Sequence, residues 1–436
     1  MMKRILSLFL VLSMLTVLTA CGNNGGTSNK DGKIEIRLLT RMAGTSKQVQ
    51  IFEEILDQFE KDYPEVKIVN DSQGDESSFN NILKTDRASG TLPNIYRVQG
   101  VANLAEYIEN DLVMDMTEAL EADKEWSSGF TEGALKYYQV PGYDGIYGIP
   151  MESGIIGFYY NEQLFQEAGI GSFPETWTEF KEAIKKLNAA NITPIAMGGK
   201  SAYKWGHLHN MIFYRWLGVE KAKELGNRTA KWTDKDVVET LQFIKELDEI
   251  GAWDKDVLGI DNDIAGTEFL EGRAAMTFTG PWDVSGFNDP EKTSLTEYFK
   301  LAKFPYFEEK PEFKNHDMQV ISPYMVNGKL EGREKELTIE LVKRLTNAEN
   351  AKRFAEEATF IIPRTDANVD LEKVTPLFLQ NVELSGTSEA IAVDVFDYDP
   401  LQSMQDRTRN SFQSLITGVS AEDAAAEIQA EIDQNE

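Results

Sequence analysis

The strongest constraint on the fold is an alternation of strand and helix patterns in the first quarter of the chain. The patterns alternate in this order: Lys33–Thr40, Ser46–Asp62, Val66–Val69, Ser77–Ala88, Pro93–Val98 and Val101–Glu109. This βαβαβ order predicts parallel strands joined by right-handed crossovers. Ligands of open α/β sheets bind beyond the carboxyl ends of the strands. We therefore expect Arg41, after the first strand, and Gln99, after the third, to line a binding cleft.

A second informative stretch is Gly145–Ile170, which we interpret as a connection between two sheets. A short apolar run, Tyr147–Pro150, precedes a β-branched and aromatic run, Ile155–Tyr160, and the polar triplet Glu152-Ser153-Gly154 separates them. Asn161 then occupies the position of a helix N-cap. A strand, a polar interruption and a second strand indicate a chain that leaves one sheet and enters another. We expect a hinge between two α/β lobes here.

The α/β pattern continues after this stretch. Helices are predicted at Pro174–Asn191, Trp205–Leu217, Thr233–Ile250, Thr267–Glu271, Glu334–Glu357 and Ala421–Ile432, and strands at Pro194–Met197 and Ala274–Thr279. Thr176 and Glu179 fit a capping box at the start of the first of these helices. The turn Gly280–Asp283 follows the second strand.

The first 32 residues predict export and a flexible connection. Lys3-Arg4 precede the uncharged run Ile5–Ala20, which has the length and flanks of a secretory signal peptide. Residues 21–32 are polar and rich in glycine and asparagine, as in a flexible tether. Cys21 is the single cysteine of the chain, so the sequence contains no disulfide framework.

The charge of the chain argues against one class of partner. It has 72 acidic and 44 basic residues, a formal net charge of -28. A large negative field repels polyphosphate, so we expect no nucleic-acid partner. An acidic surface is also the ordinary means by which an exported protein stays soluble.

The sequence contains no complete catalytic or metal-binding motif of the kinds considered below. The three histidines are His207, His209 and His316, and the first two would point to opposite sides of a helix. Asp261–Gly266 imitates a calcium loop, but Ala265 breaks the pattern and Gly272 stands where a bidentate glutamate is needed. No pair of carboxylates is singled out for acid–base catalysis. We expect no enzyme activity, no metal and no cofactor.

A binding function fits the sequence better, because aromatic and short acidic residues occur together at loop positions. Aromatic rings pack on the C–H faces of sugars, whereas charged side chains bond their hydroxyls. Trp282-Asp283 follows a strand and a Gly-Pro turn, although Trp282 could instead pack between the lobes. Trp205 begins a helix, and Glu152 lies in the predicted hinge. The tryptophans interpreted as core residues are Trp126, Trp177, Trp232 and Trp253.

Three motifs carry a family resemblance over most of the chain from Lys33 onward. They are YGIP…FYYNEQLFQEAGI with the following PETWTEFKEAIKKL, FLEGRAAMTFTGPWD at Phe269–Asp283, and SGTLPNIYRV at Ser89–Val98. In this order the chain resembles the extracellular solute-binding proteins of ABC importers, in the carbohydrate-type family 1. Asn94 departs from the acidic residue that is common in the last motif.

The resemblance implies a two-lobed α/β fold of the type II periplasmic-binding-protein class, with a hinge of several crossovers. The implied N-terminal lobe is 33–152 plus 319–363, and the C-terminal lobe is 153–318 plus 364–436. A return of the chain near Gln319–Val326 would bring Asp317 and Tyr324 to the cleft, and Trp282 would also lie there. Leu18–Cys21 resembles a lipobox, which implies an acylated Cys21.

The resulting hypothesis is a lipid-anchored monomer on the outer face of the cytoplasmic membrane. It would bind a carbohydrate, and most plausibly an oligosaccharide, between its lobes and deliver it to the transmembrane subunits of an ABC permease. One alternative keeps the fold and changes the ligand to a polyamine, a metal chelate or a peptide. Another is a surface protein that binds or hydrolyses glycans without a transport partner.

Overall fold

The computed structural model describes residues 32–98, 104–140, 142–401 and 403–435, which form two α/β lobes. The first sheet has the strand order β10-β9-β3-β1-β2, and β4 pairs with β9. Its strands are β1 (Ile34–Leu39), β2 (Val66–Asn70), β3 (Ile95–Tyr96), β4 (Ile149–Ile155), β9 (His316–Val326) and β10 (Ala390–Ala392). As predicted, β1 is parallel to both β2 and β3.

The second sheet has the order β6-β7-β5-β8. It contains β5 (Gly157–Asn161), β6 (Thr193–Ala196), β7 (Ala274–Thr279) and β8 (Phe299–Ala302). The β6/β7 pair is parallel, and β5 runs antiparallel to both β7 and β8. The two sheets give the molecule two separate layers on which helices pack.

Helices cover both sheets. In the N-terminal lobe they are α1 (Lys47–Asp62), α2 (Glu76–Ser89), α3 (Leu104–Glu109), α4 (Thr117–Ala122), α5 (Lys124–Ser127), α6 (Glu132–Lys136), α13 (Gly332–Thr346) and α14 (Ala348–Ala358). In the C-terminal lobe they are α7 (Glu162–Glu167), α8 (Trp177–Ala189), α9 (Ala202–Gly226), α10 (Lys235–Glu249), α11 (Asn262–Leu270), α12 (Val284–Phe287), α15 (Pro376–Gly386), α16 (Met404–Ser414) and α17 (Ala421–Asn435). None of the helices in the described ranges combines the length and apolar character needed to cross a membrane.

Each lobe has its own hydrophobic core. Phe52, Phe59 and Leu341 are fully buried in the N-terminal lobe, where α1 and α13 cover one face of the sheet. Phe158, Trp232 and Leu241 are buried in the larger core of the C-terminal lobe. The four tryptophans interpreted as core residues are all at most 6% exposed, which confirms that interpretation.

Several short-range predictions are confirmed in detail. Thr176 and Glu179 form both bonds of the predicted capping box. The side chain of Asn161 caps α7 by accepting from two backbone N–H groups. Asp261, in the sequence that imitates a calcium loop, instead caps α11 by accepting from the N–H of Ile264. That helix begins earlier than predicted, because this cap starts it at Asn262.

The hinge differs from the predicted one. The polar triplet Glu152-Ser153-Gly154 is not an interruption between strands but part of β4, which pairs antiparallel with β9. A register shift between Pro150 and Glu152 marks a β-bulge there. Both strands pass from one lobe to the other, so this two-stranded ribbon is the connection on which the lobes can rotate.

The third crossing of the chain comes later than predicted. The boundary was placed at 363/364, but Ala367 belongs to the core of the N-terminal lobe and Val369 packs against it. The N–H of Thr365 also donates to the carbonyl of Gly129 at 2.8 Å. The apolar side chains at 367 and 369 therefore hold this segment on the N-terminal lobe, and α15 is the first element after it that contacts β8 of the other sheet.

The kink in α9 generates a testable prediction. Gly218 has φ +76°, and a Cβ there would lie 2.6 Å from the ring of Phe313. We expect Gly218→Ala to destabilise the C-terminal lobe by roughly 1–3 kcal/mol, because strain and overpacking add. Gly266→Ala is the matched control, since a Cβ at that helical position meets no atom within 4 Å. Equal thermal unfolding midpoints for the two variants would contradict this account.

Candidate ligand cleft between the lobes

The candidate cleft is formed by the hinge strand β4, the turn after β7 and the ends of the N-terminal-lobe strands. The turn Gly280–Asp283 lies directly on the hinge, since a Cβ on Gly154 would be only 2.8 Å from Pro281. Across the lobes, the Nε2 of Gln48 donates to the carbonyl of Trp282 at 3.4 Å. These contacts bring residues of both lobes and of the hinge to one place.

Glu152 lies on the hinge, where the β-bulge sets the direction of its side chain. It is buried, and its Oε2 accepts from the hydroxyl of Ser322 at 3.1 Å. Its Oε1 is buried without a protein hydrogen-bond partner. Burial raises the pKa of this carboxyl, and the nearby guanidinium of Arg97 opposes the shift. One acceptor atom of Glu152 is thus unused among the described residues.

Arg41 follows β1, as the sequence predicted, and faces the same region. Its Nη2 donates to the carbonyl of Gly74 at 2.6 Å, which fixes the guanidinium. Its Nε is buried and has no hydrogen-bond partner in the described protein. Its charge acts on Glu152 in the hinge and on Tyr203 in the other lobe.

An ion pair bridges the lobes opposite the hinge. Arg409 of α16 lies 3.8 Å from the carboxylate of Glu76, the first residue of α2. Its guanidinium is placed over the ring of Phe396 at 5.0 Å, and its side chain packs on Gly206. Arg409 is buried, and its Nε has no hydrogen-bond partner among the described residues, so one donor atom of this cation is unused.

Two further carboxylates lie beside Arg409. The Nδ2 of Asn210 donates to Asp394 at 2.6 Å, whereas the Oδ1 of Asp397 is buried and has no hydrogen-bond partner in the described part of the chain. Burial raises the pKa of both carboxyls, and for Asp397 the charge of Asp394 adds to the effect. Tyr137 of the N-terminal lobe is close enough for both carboxylates to act on its hydroxyl.

The aromatic side of the cleft is formed by a face of α9 and the turn. The rings of Tyr203 and His207, one helical turn apart, are 5.2 Å from each other, and His207 is 5.9 Å from Trp282. Tyr203 and Trp282 are half-buried. Burial, Arg409 and Lys204 lower the pKa of His207 well below its usual range, so this imidazole is neutral at pH 7.

The predicted site residues divide into two groups. Trp282, Asp283, Glu152 and Arg41 come together at the cleft, as described above. Gln99 lies outside the described residues. Trp205 differs from the expectation: it is 0% exposed, its Nε1 donates to the carbonyl of Gly199 at 2.7 Å, and its ring packs perpendicular to Trp253. It is a core residue because α9 buries that face in the C-terminal lobe.

Asp317 and Tyr324 also differ from the expectation. Asp317 is buried between Arg215 at 2.5 Å and Lys303 at 2.6 Å, and it accepts from the hydroxyl of Ser388. Burial would raise the pKa of Asp317, but Arg215 and these hydrogen bonds bring it below the usual range. Tyr324 is 2% exposed within the core of the N-terminal lobe. Both residues stabilise the lobes rather than line the cleft.

Sequence reasoning missed several residues of the cleft: Gln48, Glu76, Tyr137, Tyr203, His207, Asp394, Asp397 and Arg409. One signal was available for Tyr203 and His207. Residues two apart on a helix point to opposite sides, so a buried Trp205 leaves Tyr203 and His207 on the other face. The remaining residues come from distant segments that the fold alone brings together.

A second concavity, of about 660 Å³, lies on the N-terminal lobe between α1, α5 and the α13–α14 junction. Its cationic side chains are already paired with carboxylates. Lys343 pairs with Asp123, Arg344 with Asp62, and Arg353 with Glu54. These cations are therefore already paired with carboxylates, and we do not consider this surface the candidate site.

Comparison with known proteins gives a consistent picture. The profile of the family described as bacterial extracellular solute-binding protein matches residues 43–352. The "Multiple sugar-binding protein" of Streptococcus mutans is 24% identical over 275 residues. The arabinooligosaccharide-binding protein of Halalkalibacterium halodurans is 25% identical over 205 residues, 46% of this chain and 43% of that one. The match to the Streptococcus protein spans 61% of each chain, so the chain covers about three fifths of that relative.

Solved structures extend the similarity to nearly the whole fold. A chitin oligosaccharide binding protein has a TM-score of 0.84 at 26% identity, covering 92% of this chain and 98% of its own. RafE in complex with raffinose has a TM-score of 0.75 at 18% identity, covering 91% and 98%. These values establish the two-lobed solute-binding fold.

The carboxylate pair in the cleft generates a pH prediction. Because the pKa of Asp397 is raised in the folded protein, the folded state binds more protons than the unfolded state, and stability falls as pH rises through that window. We expect Asp397→Asn to raise the unfolding midpoint by about 2 °C or more at pH 8. The gain should shrink as the pH is lowered, because the native carboxyl takes up its proton at a higher pH than the unfolded one. The exposed Asp406→Asn is the control, and a gain independent of pH would contradict the argument.

Proposed function

Because this chain belongs to the family of bacterial extracellular solute-binding proteins, we propose that it is the receptor of an ABC importer that captures a carbohydrate between its lobes. The ligand would lie between the aromatic face of Tyr203, His207 and Trp282 and the polar groups of the opposite lobe. An oligosaccharide is the favoured ligand, since the names of a chitin oligosaccharide binding protein and an arabinooligosaccharide-binding protein occur among the similar proteins.

The observation that supports this proposal is a set of shielded polar atoms, on residues of the candidate cleft, that have no hydrogen-bond partner among the described residues. They are the donors Arg41 Nε and Arg409 Nε and the acceptors Gln48 Oε1, Glu152 Oε1 and Asp397 Oδ1. Buried polar atoms of folded proteins normally have partners. A hydroxyl group both donates and accepts, so a polyhydroxylated ligand could satisfy donors and acceptors that are close together. The adjacent aromatic rings suit its C–H faces.

The charge balance of the cleft weighs against a polyamine. Five carboxylates occur there, Glu76, Glu152, Asp283, Asp394 and Asp397, together with four cations, Arg41, Arg97, Lys204 and Arg409. The strong negative charge of the whole chain is therefore not concentrated at this site. A nearly balanced cleft favours a neutral ligand, and a metal chelate or a peptide has no specific contact in its favour.

Closure about the hinge completes the proposed mechanism. The ribbon of β4 and β9 would bend while the two cores move as rigid bodies. A ligand that contacts both lobes binds the closed form more tightly, and this difference in affinity supplies the free energy of closure. The closed receptor would then dock on the permease, which would contain the ATP-hydrolysing subunit.

The cellular setting is part of the same proposal. Cys21 would be acylated after removal of residues 1–20, and residues 21–32 would tether a monomeric receptor to the outer face of the cytoplasmic membrane. Labelling of cells with a radioactive fatty acid tests the anchor directly. Incorporation into the native chain and its loss in Cys21→Ala would support this assignment, and equal labelling would overturn it.

Ligand class is tested by tryptophan fluorescence of a variant that starts after Cys21. We expect saturable changes with one class among chito-, xylo-, malto- and arabino-oligosaccharides and raffinose. Trp282→Ala should weaken binding at least 10-fold, because the ring would cover one sugar face. Trp253→Phe, which changes a core tryptophan, is the matched control for signal and folding. A response to spermidine alone would contradict the carbohydrate proposal, and release of shorter sugars would favour a hydrolase.

Closure is tested by small-angle X-ray scattering on the same protein. The radius of gyration should fall when the bound sugar is added at saturating concentration, since the lobes rotate together. Trp282→Ala at the same sugar concentration should remain less compact. An unchanged radius with a sugar that demonstrably binds would show that the hinge does not move.

A further inference from the structure

Lys204 is a buried cation of the cleft whose own hydrogen bonds lie within the C-terminal lobe. It lies in the first turn of α9 and is 5% exposed. The N-terminus of a helix carries a partial positive charge, which disfavours a cation there. Burial lowers the pKa of its ammonium, and Asp283 is the neighbouring charge that opposes the shift. A lysine in such an unfavourable place needs specific partners.

The partners of Lys204 lie at the end of β7. Its Nζ donates to the carbonyl of Phe278 and to the hydroxyl of Thr279, both at 3.1 Å. The hydroxyl of Thr279 is also 2.7 Å from Oδ2 of Asp283. An ammonium only donates and a carboxylate only accepts, so the proton of the Thr279 hydroxyl must point to Asp283. Lys204, Thr279 and Asp283 thus form a chain of hydrogen bonds that all donate in the same direction, from the ammonium to the carboxylate, and we call this chain the relay.

The relay ends at a carboxylate that faces solvent. Asp283 is exposed, whereas Lys204 and Thr279 are buried. Thr279 occupies Oδ2, and among the described residues no side chain donates to Oδ1. The relay also spans the turn Gly280–Asp283, which carries Trp282 and lies on the hinge strand at Gly154. The buried Lys204 therefore determines how the exposed Asp283 carboxylate is oriented.

We propose that Lys204 is a positioning residue that acts through Thr279 to fix the Asp283 carboxylate and the Trp282 turn for ligand binding. Lys204 does not touch the ligand. What this means for ligand selection rests on the proposed carbohydrate function. Oδ1 of Asp283 accepts a hydrogen bond, so the ligand must present a donor there. A sugar hydroxyl fits, and a sugar that is deoxygenated or carries a carboxylate at that position is rejected.

The first test needs no ligand. The native chain, the variants Lys204→Met and Thr279→Val, and the control Lys200→Met are labelled with 5-fluorotryptophan, and the ¹⁹F resonance of Trp282 is assigned with Trp282→Phe. We expect Lys204→Met and Thr279→Val each to broaden or shift that resonance, because both break the relay. Lys200 is exposed, so its variant should leave the spectrum unchanged. A Trp282 resonance that is unchanged in Thr279→Val would overturn the proposal.

The second test is a double-mutant cycle of affinity. The dissociation constant for a sugar from the panel above is measured by calorimetry for Lys204→Met, Asp283→Asn and the double variant. Each single change should weaken binding about 10-fold, and the double variant should be no weaker than Asp283→Asn alone. If the two losses of affinity multiplied in the double variant, Lys204 would act independently of Asp283. If Lys204→Met lowered the melting temperature and left the affinity unchanged, the role of Lys204 would be structural only.

The two tests separate this inference from the function on which it rests. If the native protein binds none of the sugars, the carbohydrate proposal fails, and the fluorine spectra alone decide whether Lys204 orders the turn. If sugars bind and the Trp282 resonance does not respond to Lys204→Met or Thr279→Val, the function stands and the relay is wrong.

Discussion

The antiparallel pairing of β4 with β9 is the interaction on which the rest of the molecule depends. Each strand begins in one lobe and ends in the other, and their register runs from Ile149 opposite Tyr324 to Ile155 opposite Gln319. The hydrogen bonds of this ribbon fix how the two cores face each other. They also place Glu152 and Gly154 at the base of the cleft, where the turn of Trp282 packs. The β4/β9 ribbon thus forms both the hinge and the base of the candidate cleft.

Much of the local structure could be predicted because its causes are local. The capping box at Thr176 and the Asn161 cap depend on residues a few positions apart. The parallel pairing of β1 with β2 and β3 was predicted from the alternation of strand and helix patterns, each of which is local. The turn at Trp282 and the position of Arg41 after β1 belong to the same class. Glu152 was singled out for a related reason, since a carboxylate in a hinge between two strands is costly unless it is paired or solvated.

The wrong prediction for Asp317 and the missed Arg409 have one physical cause, which is that their partners are distant in the sequence. Asp317 resembles a free acid in the sequence, and only the fold brings Arg215 and Lys303, 102 and 14 residues away, to its side chain. Arg409 and Glu76 are brought together across more than 300 residues in the same way. Trp205 was a different error: the sequence showed a helix with aromatic residues on two faces, and the burial of one face decided that Tyr203 rather than Trp205 reaches the cleft.

The unsatisfied atoms of the cleft also give a reason for ligand-dependent closure. A shielded polar atom without a partner costs about 1–3 kcal/mol. Five such atoms belong to residues of the candidate cleft: Arg41, Gln48, Glu152, Asp397 and Arg409. With the lobes in contact and no ligand, as in this structure, the shielding of these atoms costs on the order of 5 kcal/mol or more, whereas separated lobes would expose the atoms to water. A ligand that satisfies them removes the penalty only in the closed form. About 5.5 kcal/mol of differential affinity is enough to convert a mostly open population into a mostly closed one, so under the proposed function these atoms would supply a free energy of the size that closure requires.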